Sequence, residues 1–130
     1  KRVLQKLPLI QNEIEPPLFY GSKKPDVVVT GWGSTYGVIK DAVTLLSKTH
    51  SIAMLHFSQI YPFPSSEAFD YLKILTEAKT TICVENNATG QFAYLMRAET
   101  GYRFTNNINS FDGRPFLLEG LIGEINERIR

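Results

Sequence analysis

Val27-Val28-Val29-Thr30-Gly31-Trp32-Gly33-Ser34-Thr35-Tyr36-Gly37-Val38-Ile39 is the stretch that decides the fold. Its β-branched start, bounded by Pro25 and Gly31, reads as a strand over 27–30 buried on both faces. Val38, Ile39, Ala42, Val43 and Leu46 then recur at helical spacing, which predicts a helix over 35–48. Ser34 or Thr35 is its expected cap. A strand that feeds a helix through a glycine turn opens a β-α-β unit.

The same rhythm repeats downstream. Ile52-Ala53-Met54-Leu55 reads as the next buried strand, and Pro62 and Pro64 stop it. Ser65 is the expected cap of a second helix, with Glu67 in its first turn and Phe69, Leu72 and Leu75 on its core face. Thr81-Ile82-Cys83-Val84 is a third buried strand, followed by a loop holding Asn86, Asn87 and Gly90. Phe92, Leu95 and Met96 mark a third helix, closed by Gly101 as a left-handed cap. A weak strand near Asn107-Ile108 and a turn at Asp112-Gly113 precede a final helix carrying Leu118, Leu121, Ile122, Ile125 and Ile129. Strands alternating with amphipathic helices imply an α/β domain with a parallel sheet, right-handed crossovers and helices on both faces. That domain is expected over 26–130. Residues 1–25, with Pro8, Pro16, Pro17 and Pro25, show no period and read as an interdomain linker. Leu18-Phe19-Tyr20, before the Gly21-Ser22 turn, is a candidate edge strand.

Composition narrows the function classes. A chain of 130 residues is one domain long, and it can bury roughly two-thirds of its unfolded surface without staples. No stretch approaches the ~20 consecutive apolar residues of a membrane span, and the start has no apolar signal region. A cytoplasmic location is therefore expected. Cys83 is the only cysteine, which excludes a disulfide framework and a Cys-rich zinc site. The net charge of +1 offers no nucleic-acid footprint. The chain begins Lys1-Arg2 rather than with methionine, so a piece of a longer polypeptide is expected.

Two loops fall at carboxyl ends of strands, where open α/β sheets bind ligands. The first is 31–37, whose free N–H groups would welcome a phosphate. Its spacing, Gly-x-Gly-x-x-x-Gly, is one residue longer than the dinucleotide fingerprint, and no Gly-Lys-Ser/Thr follows. The place of a ribose-binding acid at the second strand's end is taken by His56 and Phe57. These glycines read better as closing the turn and admitting the helix close to the strand. Trp32 is either a core plug or an interface anchor. The second loop is Val84-Glu85-Asn86-Asn87-Ala88-Thr89-Gly90-Gln91. Glu85 has acid–base chemistry but no identified partner, and with Asn87 it is expected to hold neighbouring loops in register. His50 and His56 lack the Cys/His cluster of a metal site, and His56 reads as a satisfied, partly buried side chain. Cys83, mid-strand, reads as an inert thiol with a raised pKa. No serine lies in a nucleophile elbow. Arg114 either pairs with an anion or clips its turn. The residues alone therefore suggest a binding or assembly module, the alternative being a free-standing anion- or nucleotide-binding domain.

The loops also carry a resemblance. Gly31-Trp32-Gly33-Ser34-Thr35-Tyr36-Gly37, then His56 with Tyr61-Pro62-Phe63-Pro64, then Val84-Glu85 with Asn87 and Gly90-Gln91, then Phe111-Asp112-Gly113-Arg114-Pro115-Phe116 occur in order from Pro25 to the C-terminus. This set resembles the C-terminal domain of the alpha subunit of 2-oxoacid:ferredoxin oxidoreductases, most of all the 2-oxoglutarate type. Related thiamine enzymes tend to show Val-Glu-Glu-His and a Gly-Gly pair at the third motif, where this chain has Asn86-Asn87 and Gly90-Gln91. The resemblance implies a transketolase C-terminal-like fold: a three-layer α/β/α sandwich on a mostly parallel five-stranded sheet with one antiparallel edge strand. It implies an enzyme that decarboxylates a 2-oxoacid on thiamine diphosphate with magnesium, reduces ferredoxin through an iron–sulfur cluster and releases an acyl-CoA. The ligands of those groups lie elsewhere in the family, so no catalytic, cofactor or metal residue carries over. The role implied here is assembly against the upstream domain and the beta subunit. The interface candidates are Trp32, Ser34, Thr35, Tyr36, His56, Glu85, Asn87, Gln91 and Arg114. Neither nucleic acid nor membrane is an expected partner.

Overall fold

The computed structural model describes residues 16–58, 60, 63–67, 69–86, 90–110 and 116–129. Among these residues, five strands and four helices alternate from β2 onward: β1 Leu18–Gly21, β2 Val27–Trp32, α1 Tyr36–Leu46, β3 Ile52–Phe57, α2 Tyr71–Glu77, β4 Thr80–Glu85, α3 Gln91–Thr100, β5 Asn106–Asn109 and α4 Leu118–Arg128. The sheet order is β1-β3-β2-β4-β5. β2 lies parallel to β3 and to β4, and β5 parallel to β4. β1 alone runs antiparallel, on the edge, pairing Leu18 with His56 and Gly21 with Ala53. The mostly parallel α/β architecture with one antiparallel edge strand is thus as the resemblance implied.

Side chains alternate across the strands and fill two cores. On one face Val27, Val29, Met54, Ile82 and Val84 pack with Ile39, Val43 and Leu46 of α1 and Leu121 and Ile125 of α4. On the other, Val28, Leu55, Phe57 and Cys83 pack with Tyr71 and Leu75 of α2 and Phe92 and Met96 of α3. Each such apolar side chain, fully buried, contributes about 1.5–3 kcal/mol.

Three local expectations are corrected. β2 does not stop at Gly31 but runs through Trp32. Gly31 keeps its place in the ladder opposite His56, because nothing in its backbone requires a turn there. Neither Ser34 nor Thr35 caps α1 with a side chain; a short 3₁₀ turn at Gly33–Thr35 leads in, and Thr35 Oγ1 donates instead to Trp32 O at 3.0 Å. Ser65 does not cap α2. That helix starts at Tyr71, and Asp70 caps it by accepting from Lys73 N at 3.1 Å. Ser65 Oγ accepts only the Glu67 N–H, at 3.4 Å. The cause is Tyr71, whose ring stands edge-on to Phe57 while its hydroxyl donates to Pro64 O at 2.6 Å. Burial, and then the nearby Glu99, raise that phenol to about 12, so it stays a donor. Gly101 does close α3 as expected, at φ 81°, donating to Arg97 O at 2.8 Å.

Candidate functional site

The two loops singled out in the sequence share one rim, at the carboxyl ends of β2, β3 and β4. Gly31 lets α1 approach that rim: a Cβ there would run into Ile39 Cδ1 and lie 2.6 Å from Thr35 Oγ1. Gly33 has φ 65°, a left-handed turn that costs glycine nothing. Its carbonyl accepts from His56 Nε2 at 3.1 Å, which places a proton on that nitrogen. His56 is 6% exposed and stands 5.1 Å from Tyr36, edge to face. Desolvation by burial lowers its pKa below 6.5, and the bond to Gly33 opposes that only in part. Tyr36 continues outward: Lys40 Nζ lies 5.8 Å from its ring and 5.3 Å from that of Tyr20 on β1. Trp32 is half-buried and stacks on Phe92 at 6.4 Å and 22°, tying the β2 end to α3. Ser34 is exposed and Thr35 buried.

On the other side of the sheet, Glu85 is fully buried. Its carboxyl accepts from Phe92 N at 2.6 Å and Ala93 N at 3.0 Å, and the Cys83 thiol donates to it at 3.6 Å. α3 has no capping side chain of its own, since its N-cap is Gly90 at φ 66°. A carboxyl from the strand end therefore satisfies the helix's first free N–H groups, where the helix dipole favours it. Burial, then the Glu85 charge and hydrogen bond, push the Cys83 thiol well up, so it is a poor nucleophile. Gln91 is exposed at the first position of α3. Asn87 and Arg114 lie outside the described residues.

His56 and Glu85 do not form a catalytic pair. β3 and β4 flank β2, which separates them by roughly 10 Å of sheet. His56 faces Tyr36 of α1, while Glu85 faces α3. Among the described residues no group of three or more His, Cys, Asp or Glu is placed to hold a metal ion. No helix among them is long and apolar enough to cross a membrane.

Between the ends of β2 and β4 lies a crevice of about 200 Å³ lined by Ser34, Thr35, Val38, Asn86 and Phe116. Asn86 and Phe116 were not among the sequence candidates. Asn86 sits directly after β4, within the loop already singled out over 84–91, and its place at a strand end is its signal. Phe116 closes the motif over 111–116, and its apolar side chain at the end of that turn, just before α4, is the signal for it.

No protein-family model matches the chain. Subunit alpha of 2-oxoacid:ferredoxin oxidoreductase 1 from Aeropyrum pernix is 29% identical over 113 residues, covering 86% of this chain and 18% of its own length. Its counterpart from Sulfurisphaera tokodaii is 30% identical over 102 residues, covering 78% and 16%. The chain thus spans about a sixth of the length of these relatives. A solved 2-oxoglutarate:ferredoxin oxidoreductase from Magnetococcus marinus, with 2-oxoglutarate, coenzyme A and succinyl-CoA bound, shares the fold at a TM-score of 0.84 over 99% of this chain and 23% of that one, with 23% identity. The alpha chain of a probable 2-oxoacid ferredoxin oxidoreductase from Thermoplasma acidophilum matches at 0.58, with 27% identity over 86% of this chain and 95% of that one. The homologues are therefore alpha subunits of 2-oxoacid:ferredoxin oxidoreductases.

Proposed function

We propose that this chain is a non-catalytic interface domain, residues 26–130 with a linker before it that adds the edge strand β1, of the alpha subunit of a 2-oxoacid:ferredoxin oxidoreductase. The observation that carries this reading is the 30% identity to such a subunit across 78% of the chain. The ordered motifs around 31–37, 61–64, 84–91 and 111–116 support 2-oxoglutarate as the oxoacid. The rest of the enzyme supplies thiamine diphosphate, magnesium, the iron–sulfur cluster and the CoA and ferredoxin sites, in a cytoplasmic complex with a beta subunit. This chain's own residues do not fit the iron–sulfur cluster. A cubane cluster needs several thiolates, whereas Cys83 is the only cysteine and is buried.

The rim suits assembly because its polar groups already serve the fold. Glu85 is committed to α3 and His56 to Gly33. What the rim turns outward is the exposed Ser34 and the half-buried faces of Trp32 and Tyr36. Flat aromatic and short polar groups on a rigid sheet end are what a neighbouring domain packs against.

The test is purification of the native complex through a tag on the full-length subunit. The expected result is a partner subunit, bound thiamine diphosphate and iron, and CoA-dependent ferredoxin reduction with 2-oxoglutarate faster than with pyruvate. Residues 1–130 alone should turn over neither acid. Turnover by that fragment would overturn the interface reading, and preference for pyruvate would overturn the substrate.

A further inference from the structure

The crevice between the ends of β2 and β4 lies where the strand order reverses, with α1 leaving β2 over one face and α3 leaving β4 over the other. The Asn86 side-chain oxygen is buried there, and among the described residues it has no hydrogen-bond partner. A buried acceptor without a donor is a standing cost to the fold. Around it stand the Ser34 hydroxyl, Val38 and Phe116. Leu117, next in sequence to Phe116, is 80% exposed.

These features select the occupant. Ligand pockets commonly enclose about 300–1,000 Å³. The crevice has about 200 Å³, room for a side chain or two rather than a nucleotide or coenzyme. The orphan acceptor needs a donor, which a peptide N–H supplies. The bare leucine calls for an apolar cover. The Aeropyrum pernix and Sulfurisphaera tokodaii subunits are several times longer than this chain, and in a subunit of that length a tethered polypeptide is at hand at high effective concentration. Resting on the reading above, we propose that the crevice seats a loop from another domain of the same alpha subunit. The loop donates an N–H to Asn86 Oδ1 and lays an apolar side chain over Phe116 and Leu117.

The experiment uses the full-length subunit in its complex. A photo-reactive residue replaces Leu117, and adducts are mapped by mass spectrometry. Adducts to peptides of the same subunit outside residues 1–130 are expected. Adducts to another subunit, adducts confined to 1–130, or none would overturn the proposal. In parallel, Asn86→Leu removes the acceptor at similar volume. With a loop N–H bound to it, the melting midpoint of the full-length subunit should fall by a few degrees. An unchanged or higher midpoint would mean that Asn86 is unpaired in the whole protein and would overturn the proposal. A small molecule retained at the crevice in native mass spectrometry would do the same. If instead the tagged subunit carries neither thiamine diphosphate nor oxoacid activity, it is the underlying family reading that fails.

Discussion

His56 and Glu85 are titratable side chains of the rim that the fold buries, at 6% and 0% exposure. Both were legible in the sequence as polar residues at strand ends, but not their partners. Glu85 bonds backbone N–H groups seven and eight residues on, and His56 a carbonyl 23 residues back. Backbone groups leave no mark in the text. The His56 environment has a consequence for pH. Its folded pKa lies below the unfolded value of 6.5, so below that value the unfolded chain binds more protons than the native one. Stability contributed by neutral His56 is present above 6.5 and is lost as pH falls toward its folded value. Urea midpoints taken from about pH 7.5 down to about pH 5 should therefore drop more for the native protein than for His56→Gln. Parallel profiles would show that the ring carries no such penalty.

At the scale of an element, the loop 31–37 holds three glycines that the sequence cannot tell apart. In the structure Gly31 touches Ile39 and Thr35, Gly33 needs a positive φ, and Gly37 lies in α1 with nothing within 4 Å of a Cβ. Gly31→Ala should destabilise by about 1–3 kcal/mol, because strand and helix must separate to admit the methyl. Gly37→Ala should stabilise by about 0.5–1 kcal/mol, through backbone entropy alone. Chemical denaturation reads both, and equal effects would sink the distinction. The misplaced start of α2 has the same origin. Ser65 and Asp70 are both good caps by propensity, and the burial of Tyr71 against Phe57 decides between them.

For the whole molecule, β1 matters more than its four residues suggest. It covers the edge of β3, every residue of which is buried. Without it, β3 would offer unpaired backbone and an apolar surface to any other strand. Deletion of residues 1–21 should leave a protein that self-associates in light scattering, while the uncut chain stays dispersed. A monodisperse truncated protein would show that this edge needs no cover.

The sequence by itself determined the alternation of strands and helices, the parallel class of the sheet, the left-handed close of α3 and the kinship of the loops. Those properties are written in residue type and short spacing: β-branched runs, a period of 3.6, and glycine where φ is positive. Only the tertiary structure decided that His56 and Glu85 face opposite layers, that Thr35 turns back to Trp32 rather than capping α1, and that Phe116 meets Asn86 across the crevice. Each depends on which strands lie side by side and in what register, and register is set by packing between residues that the chain keeps far apart.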